Sequence, residues 1–305
     1  MKRREFLGLA AGAALMPSAQ AGVALKDLVE VKLLAGGGKV YAFTNRSASQ
    51  MHSAVFLSPE GRVLVVDGGF YRDGPFLNAF LKSLGGKVDY WFITHAHDDH
   101  YGALVEMFHA AGGAGIEIGE LLFDFPDRAW LERGEPSSKP HLKRFYDEFL
   151  AGTGRALARG ACTPGRVVKF GSWSFEILNA PRREQGNTIN NSSVMLSVQA
   201  GGTSWLVTGD LGVEAGRHFA QTLGPRLRHD VVFLAHHGQN GVEKAFYAAV
   251  APKIAIWPTP DWLWDNNLGG RGVGSGPWRT NYVKCWMQEL GVKSQFLLTR
   301  DHVFL

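Results

Sequence analysis

The chain of 305 residues holds only two cysteines, Cys162 and Cys285, and neither falls in a ligand motif. They could pair in an oxidising compartment or lie apart as separate buried thiols, because their spacing alone does not bring them to bonding distance. Although 38 glycines are present, none builds a Walker-type phosphate loop or a Gly-x-Ser-x-Gly elbow. The familiar sequence signatures of nucleotide hydrolysis and of serine catalysis are therefore missing. Internal repeats and low-complexity tracts are absent too. The formal charge is only +4, too small to mark a nucleic-acid footprint. Long apolar runs are also lacking: the stretch from Gly8 to Met16 is too short to span a bilayer comfortably.

What is present is concentrated at strand ends. Residues 94–100 read Thr-His-Ala-His-Asp-Asp-His, directly after the apolar stretch 88–93. Imidazole nitrogen and carboxylate oxygen bind zinc and neighbouring divalent cations at about 2 Å. A turn at a strand end can aim His95 and His97 one way and Asp99 and His100 another, so the run reads as a metal site able to serve two ions. Three more apolar stretches end in comparable chemistry. Residues 62–67 finish in Asp67-Gly68-Gly69, residues 204–210 in Gly209-Asp210, and residues 230–238 in His236-His237-Gly238.

The spacing His-x-His-x-Asp-His, with those strand ends in that order, resembles the metallo-β-lactamase superfamily. The resemblance implies an α/β fold, an αββα sandwich of two mixed β-sheets flanked by helices, with metals at one edge of the sheets. A narrower likeness covers nearly the whole mature chain. It rests on Thr163-Pro-Gly-Arg-Val-Val-Lys-Phe-Gly171, Phe175-Glu-Ile-Leu, Asn190-Asn191-Ser-Ser193, Thr208-Gly-Asp210, His236-His237-Gly238 and the closing stretch 278–305. These segments are similar to the hydrolase domain of ComEC-type competence proteins and its stand-alone relatives. Two departures stand out: His97 occupies a position where that subfamily carries aspartate, and the superfamily's usual third histidine of the first site is replaced by the Asn-Asn-x-Ser segment, as in the relatives.

The resemblance implies a dinuclear metallohydrolase. His95, His97 and Asp210 would hold one divalent ion, and Asp99, His100, Asp210 and His236 the other. Asp67 would support the metal loop from behind its ligands. Asp210, Asp99 and His237 form the expected catalytic set, with His237 contacting substrate or moving a proton, or else serving a structural role. Asn190, Asn191 and Ser193 could orient substrate or complete a coordination shell, although Asn-Asn before a strand is also ordinary turn chemistry. Zinc suits the imidazole-rich loop, and manganese suits a carboxylate-bridged phosphodiesterase. A hydroxide bridging the metals would be the nucleophile. The favoured substrate is a phosphodiester in a nucleic acid or small nucleotide. Alternatives are a lactam, lactone or thioester hydrolase of the same fold, and a non-catalytic metal-containing binding module. No protein partner follows from the sequence.

The N-terminus, Met1-Lys2-Arg3-Arg4-Glu5-Phe6-Leu7 with Ala19-Gln20-Ala21 as a small-x-small cleavage site, resembles a bacterial twin-arginine signal peptide. It implies a periplasmic or secreted product comprising residues 22–305 as a single catalytic domain, with no membrane span after signal removal. Three positive charges and one negative leave with residues 1–21, which lowers the net charge to about +2. Strands are expected around residues 40–44 and 53–57, and a helix from Gly102 to the Gly112-Gly113 stop. The least patterned stretch, 120–162, carries one expected helix at 141–157. Arg182-Arg183 reads as solvated, and His52, His109, His141, His218, His229 and His302 as structural or exposed. Trp257, Trp262, Trp264 and Trp278 read as a packed lid or core edge, with residues 259–278 a mobile loop over the site.

Overall fold

A computed structural model describes residues 28–305 except 112 and 114; the signal-like segment 1–21 lies outside the described residues. Fifteen strands among them form two sheets. The first has eight, in the spatial order Val29–Val31, His302–Phe304, Lys39–Ala42, Ser53–Leu57, Val63–Asp67, Lys87–Phe92, Glu117–Leu122 and Arg159–Gly160. The second has seven, ordered Ser294–Leu297, Ile254–Trp257, Val231–Phe233, Thr203–Val207, Leu196–Ala200, Trp173–Ile177 and Val167–Phe170. Both sheets mix parallel and antiparallel pairs, as expected from the resemblance.

The layering follows from strand periodicity, since successive side chains point to opposite faces. In the Val63–Asp67 strand, Leu64 and Val66 enter the core between the sheets, where they meet Phe56, Phe175, Trp205 and Phe233. Val63 and Val65 face the other way, into the cluster that holds Leu77, Phe80, Tyr101 and Leu104 of helices Gly74–Ser83 and Asp98–Ala111. With both faces covered, this strand must be apolar throughout, which is why 63–66 reads Val-Leu-Val-Val rather than as an alternation. The second sheet repeats the arrangement: Leu206, Val232 and Ala255 pack with Phe219, Phe246 and Met287 of the outer helices Val213–Thr222, Lys244–Val250 and Thr280–Glu289.

The last strand returns to the first sheet. His302–Phe304 inserts between Val29–Val31, which it pairs in parallel, and Lys39–Ala42, which it pairs antiparallel. Thus the closing stretch contributes a helix, a strand in one sheet and a strand in the other. Two local expectations change. The helix expected from Gly102 begins at Asp98, so Asp99 and His100 occupy its first turn. The single helix expected at 141–157 is instead a short α-turn, Lys139–Lys143, continued by the π-helical Arg144–Thr153, which kinks at Gly152. No helix among the described residues is long and apolar enough to cross a membrane. Cys162, buried, and Cys285, exposed, are both free.

Candidate metal centre

Parallel pairing gathers the chemistry. Leu64–Val66 lies parallel to Tyr90–Phe92, and Trp205–Val207 parallel to Val231–Phe233. The residues that follow these strands therefore emerge on common sides, the usual place for ligands in open α/β sheets. The turn after Thr203–Val207 packs on the metal loop: a Cβ at Gly209 would sit 2.9 Å from the Thr94 side chain, and Gly209 has φ +55°. Asp210 N donates to Ser193 Oγ at 3.1 Å, and Val194 N to Thr94 O at 2.9 Å.

Two donor groups share one carboxylate. His95, His97 and Asp210 form the first; Asp99, His100, Asp210 and His237 form the second, with the donor atoms of each within 4.8 Å of one another. His95 Nε2 and His97 Nδ1 are 3.2 Å apart. In the second group His100 Nε2 lies 3.2 Å from Asp210 Oδ1, and His237 Nε2 lies 3.2 Å from Asp99 Oδ2 and 3.4 Å from Asp210 Oδ2. Two donors each about 2.05 Å from a tetrahedral zinc stand roughly 3.3 Å apart, so these spacings fit ligation.

The tautomers make the same point. His100 Nδ1 donates to Asp67 Oδ2 at 2.8 Å, His237 Nδ1 to the Pro258 carbonyl at 2.9 Å, and His97 Nε2 to Glu135 Oε1 at 2.9 Å. Thr94 Oγ1 donates to Asp67 Oδ2 at 3.0 Å and accepts from His95 Nδ1 at 3.0 Å. In the neutral rings each opposite nitrogen then carries a lone pair. The His95 and His97 lone pairs face each other, and those of His100 and His237 face carboxylate oxygens 3.2–3.4 Å away. Such a convergence is repulsive without a proton or a cation, so the residues fit divalent metal. The field acts on the histidines accordingly. Burial lowers the His237 pKa, but Asp210 and Asp99 outweigh it and push the value up to about 9. His100 is likewise disfavoured as a cation by burial, yet Asp210, Asp67 and Asp99 raise it well above the ordinary range. His95, opposed first by burial and then by His100, is held well below it.

Backbone strain holds the donors. Asp67, His236 and His237 adopt left-handed conformations at φ +56°, +51° and +53°, each costing about 1–3 kcal/mol for a non-glycine residue. Asp67 is fixed by Thr94 N at 2.8 Å, His236 N donates to Gly209 O at 3.1 Å, and Thr259 Oγ1 donates to His237 O at 2.6 Å.

This twisted turn reverses one expectation. His237, not His236, joins Asp99, His100 and Asp210. His236 stands on the Asn190 side, its Nε2 3.4 Å from Asn190 Nδ2 and 3.9 Å from Asp210 Oδ2. The asparagine segment divides similarly. Asn190 faces His236, whereas Asn191 bridges Gly186 O and Glu214 and anchors the following helix. Arg182 and Arg183 pair with Glu184 and Asp127. Trp257 is core, and Trp262 packs edge-on against Trp278. The sequence reading missed Glu135, and it set His52 aside as structural or exposed. Buried His52 lies 2.8 Å from Asp67 Oδ2, stacks on His100 and abuts Phe233. Gln50 Nε2 reaches Asp99 Oδ2 at 3.5 Å and is itself held by Gln239. His52 and Gln50 adjoin the Ser53–Leu57 strand, and this position beside a sheet edge was the only sequence signal for them.

A family model described as the Metallo-beta-lactamase superfamily matches residues 50–236. The chain belongs to the metallo-β-lactamase superfamily. Within it, the chain is similar to ComE operon protein 3 of Bacillus subtilis (strain 168), 28% identical over 215 residues, 64% of this chain and 25% of that protein. It is also similar to Recombination protein 2 of Haemophilus influenzae, 25% identical over 215 residues, 68% of this chain and 23% of that protein. The chain thus spans about a quarter of the length of these relatives. The metallo-β-lactamase fold protein YhfI from Bacillus subtilis shares the fold, with a TM-score of 0.54 at 11% identity over 88% of this chain and all of that one.

Proposed function

We propose that this metallo-β-lactamase-fold protein is a hydrolase that uses two divalent cations, zinc or manganese, to cleave a phosphodiester in a nucleic acid or nucleotide. The observation that carries the reading is Asp210 shared between two donor groups whose lone pairs converge. When bound, the two cations would acidify a water and polarise the scissile group. Asp210 would orient both donor groups about a common point, while Thr94, Asp67, Glu135 and the Pro258 carbonyl hold the imidazole tautomers. His236 Nε2 remains outside both groups and accepts from Asn190 Nδ2 at 3.4 Å; with its pKa lowered by burial, the neutral ring would line the substrate side of the centre. The competence-type relatives support a phosphodiester over a lactam, as does the carboxylate-rich second group. The twin-arginine-like N-terminus supports export of residues 22–305 as a periplasmic or secreted product.

Turnover of bis(p-nitrophenyl) phosphate by metal-loaded protein, beside nitrocefin and a lactone panel, tests the substrate class. Metal-dependent release of nitrophenol is expected. Activity confined to lactams or lactones would reject the phosphodiester, and no ester turnover at all would reject the hydrolase.

A further inference from the structure

The donor groups draw their support from different parts of the chain. Asp67, behind His100, ends a core strand, whereas Glu135, behind His97, comes from the connection between strands Glu117–Leu122 and Arg159–Gly160. It follows helix Arg128–Gly134 and lies 38 positions from His97 in sequence. Its side chain is not needed for its own local structure. The turn Pro136–Ser138 is closed by the Glu135 carbonyl, which accepts from Ser138 N at 3.0 Å and Oγ at 2.6 Å, with no side-chain cap. The carboxylate is therefore free to bind His97 Nε2, and that bond leaves the Nδ1 lone pair facing His95 Nε2.

The structure assigns Glu135 as the positioning residue of the first metal group: by fixing the tautomer and ring orientation of His97, it makes capture of the first cation depend on the packing of the 123–158 connection. This rests on the two-cation reading above. A carboxylate behind a ligating histidine typically contributes 10–100-fold in metal affinity.

The test uses metal-stripped wild type, Glu135→Ala and Glu135→Gln, each titrated with Zn²⁺ against a chromophoric chelator, with thermal unfolding of the metal-free proteins alongside. Wild type should take up two ions. Glu135→Ala should retain one at wild-type affinity and bind the other about 10–100-fold more weakly, with metal-free unfolding shifted only slightly, since the Glu135–His97 pair is partly exposed. Glu135→Gln should lose less, since its amide oxygen can accept the same hydrogen bond. Glu135→Ala indistinguishable from wild type, or weakened equally at both ions, overturns the assignment. Should the alanine variant not fold, Glu135→Leu, which cannot accept the bond, takes its place, and wild-type affinities at both ions in it overturn the assignment. A wild type that binds fewer than two ions defeats the two-cation reading itself, a different result from two ions indifferent to Glu135.

Discussion

Behind the second donor group stand Asp67 and the Pro258 carbonyl, at the ends of two core strands; behind the first stand Thr94 and Glu135, the latter on a surface connection. The side chains of His100 and Asp67 are fully buried, while those of His97 and Glu135 are 20% and 31% exposed. The second group brings two carboxylates against two imidazoles, and the first brings one against two. A buried, carboxylate-rich group concentrates field on a cation and screens poorly. A half-open imidazole pair relies on lone-pair geometry instead. One shared aspartate thus joins two donor groups of different character, the second backed by the sheets and the first by a surface connection.

The comparison breaks most completely at the shared residue. Replacing Asp210 by alanine should remove both ions and reduce turnover by on the order of 10³-fold or more, the scale of preorganised electrostatic stabilisation. Elemental analysis beside rate measurement checks it, and full activity would refute the mechanism. Asp67→Asn should act chiefly on the second group, because asparagine tolerates the left-handed backbone of Asp67 but removes the charge behind His100, while the first group feels it only through the Thr94 bridge to His95. Affinity for the second ion should fall about 10–100-fold, measured by chelator competition, with the first ion retained.

The mildest probe is pH. In metal-stripped protein the His237 pKa is raised to about 9, burial being outweighed by Asp210 and Asp99. A histidine raised on folding contributes stability that is fully present below its unfolded pKa, near 6.5, and is lost as pH rises through 9. The contribution is on the order of 3 kcal/mol. Denaturant unfolding of stripped protein between pH 6 and 10 should show this loss, and metal-loaded protein should not, because a cation replaces the proton. Equal slopes for both would sink the claim that these carboxylates and a metal share one role.

Much of the centre was legible because its donors are local to strand ends. His95, His97, Asp99 and His100 lie within six positions, and apolar runs announce the strands before Asp67, Asp210 and the His236-His237 pair. The two-sheet sandwich was legible through the motif order. Less was visible where contacts span the chain. Which histidine of the pair turns inward depends on two successive left-handed residues pinned by Gly209 and Thr259, and nothing in His-His-Gly chooses between them. His52 read as structural or exposed because its partners, Asp67 and His100, are distant in sequence.

The amino-acid order by itself determined the donor types, their attachment to strand ends and the family, since each is a matter of neighbouring residues and side-chain period. Only the tertiary structure decided that His237 rather than His236 stands with Asp99, His100 and Asp210, and that Glu135 lies against His97. Those outcomes depend on hydrogen bonds a few ångströms long between segments tens of residues apart, a geometry that chain order does not encode locally.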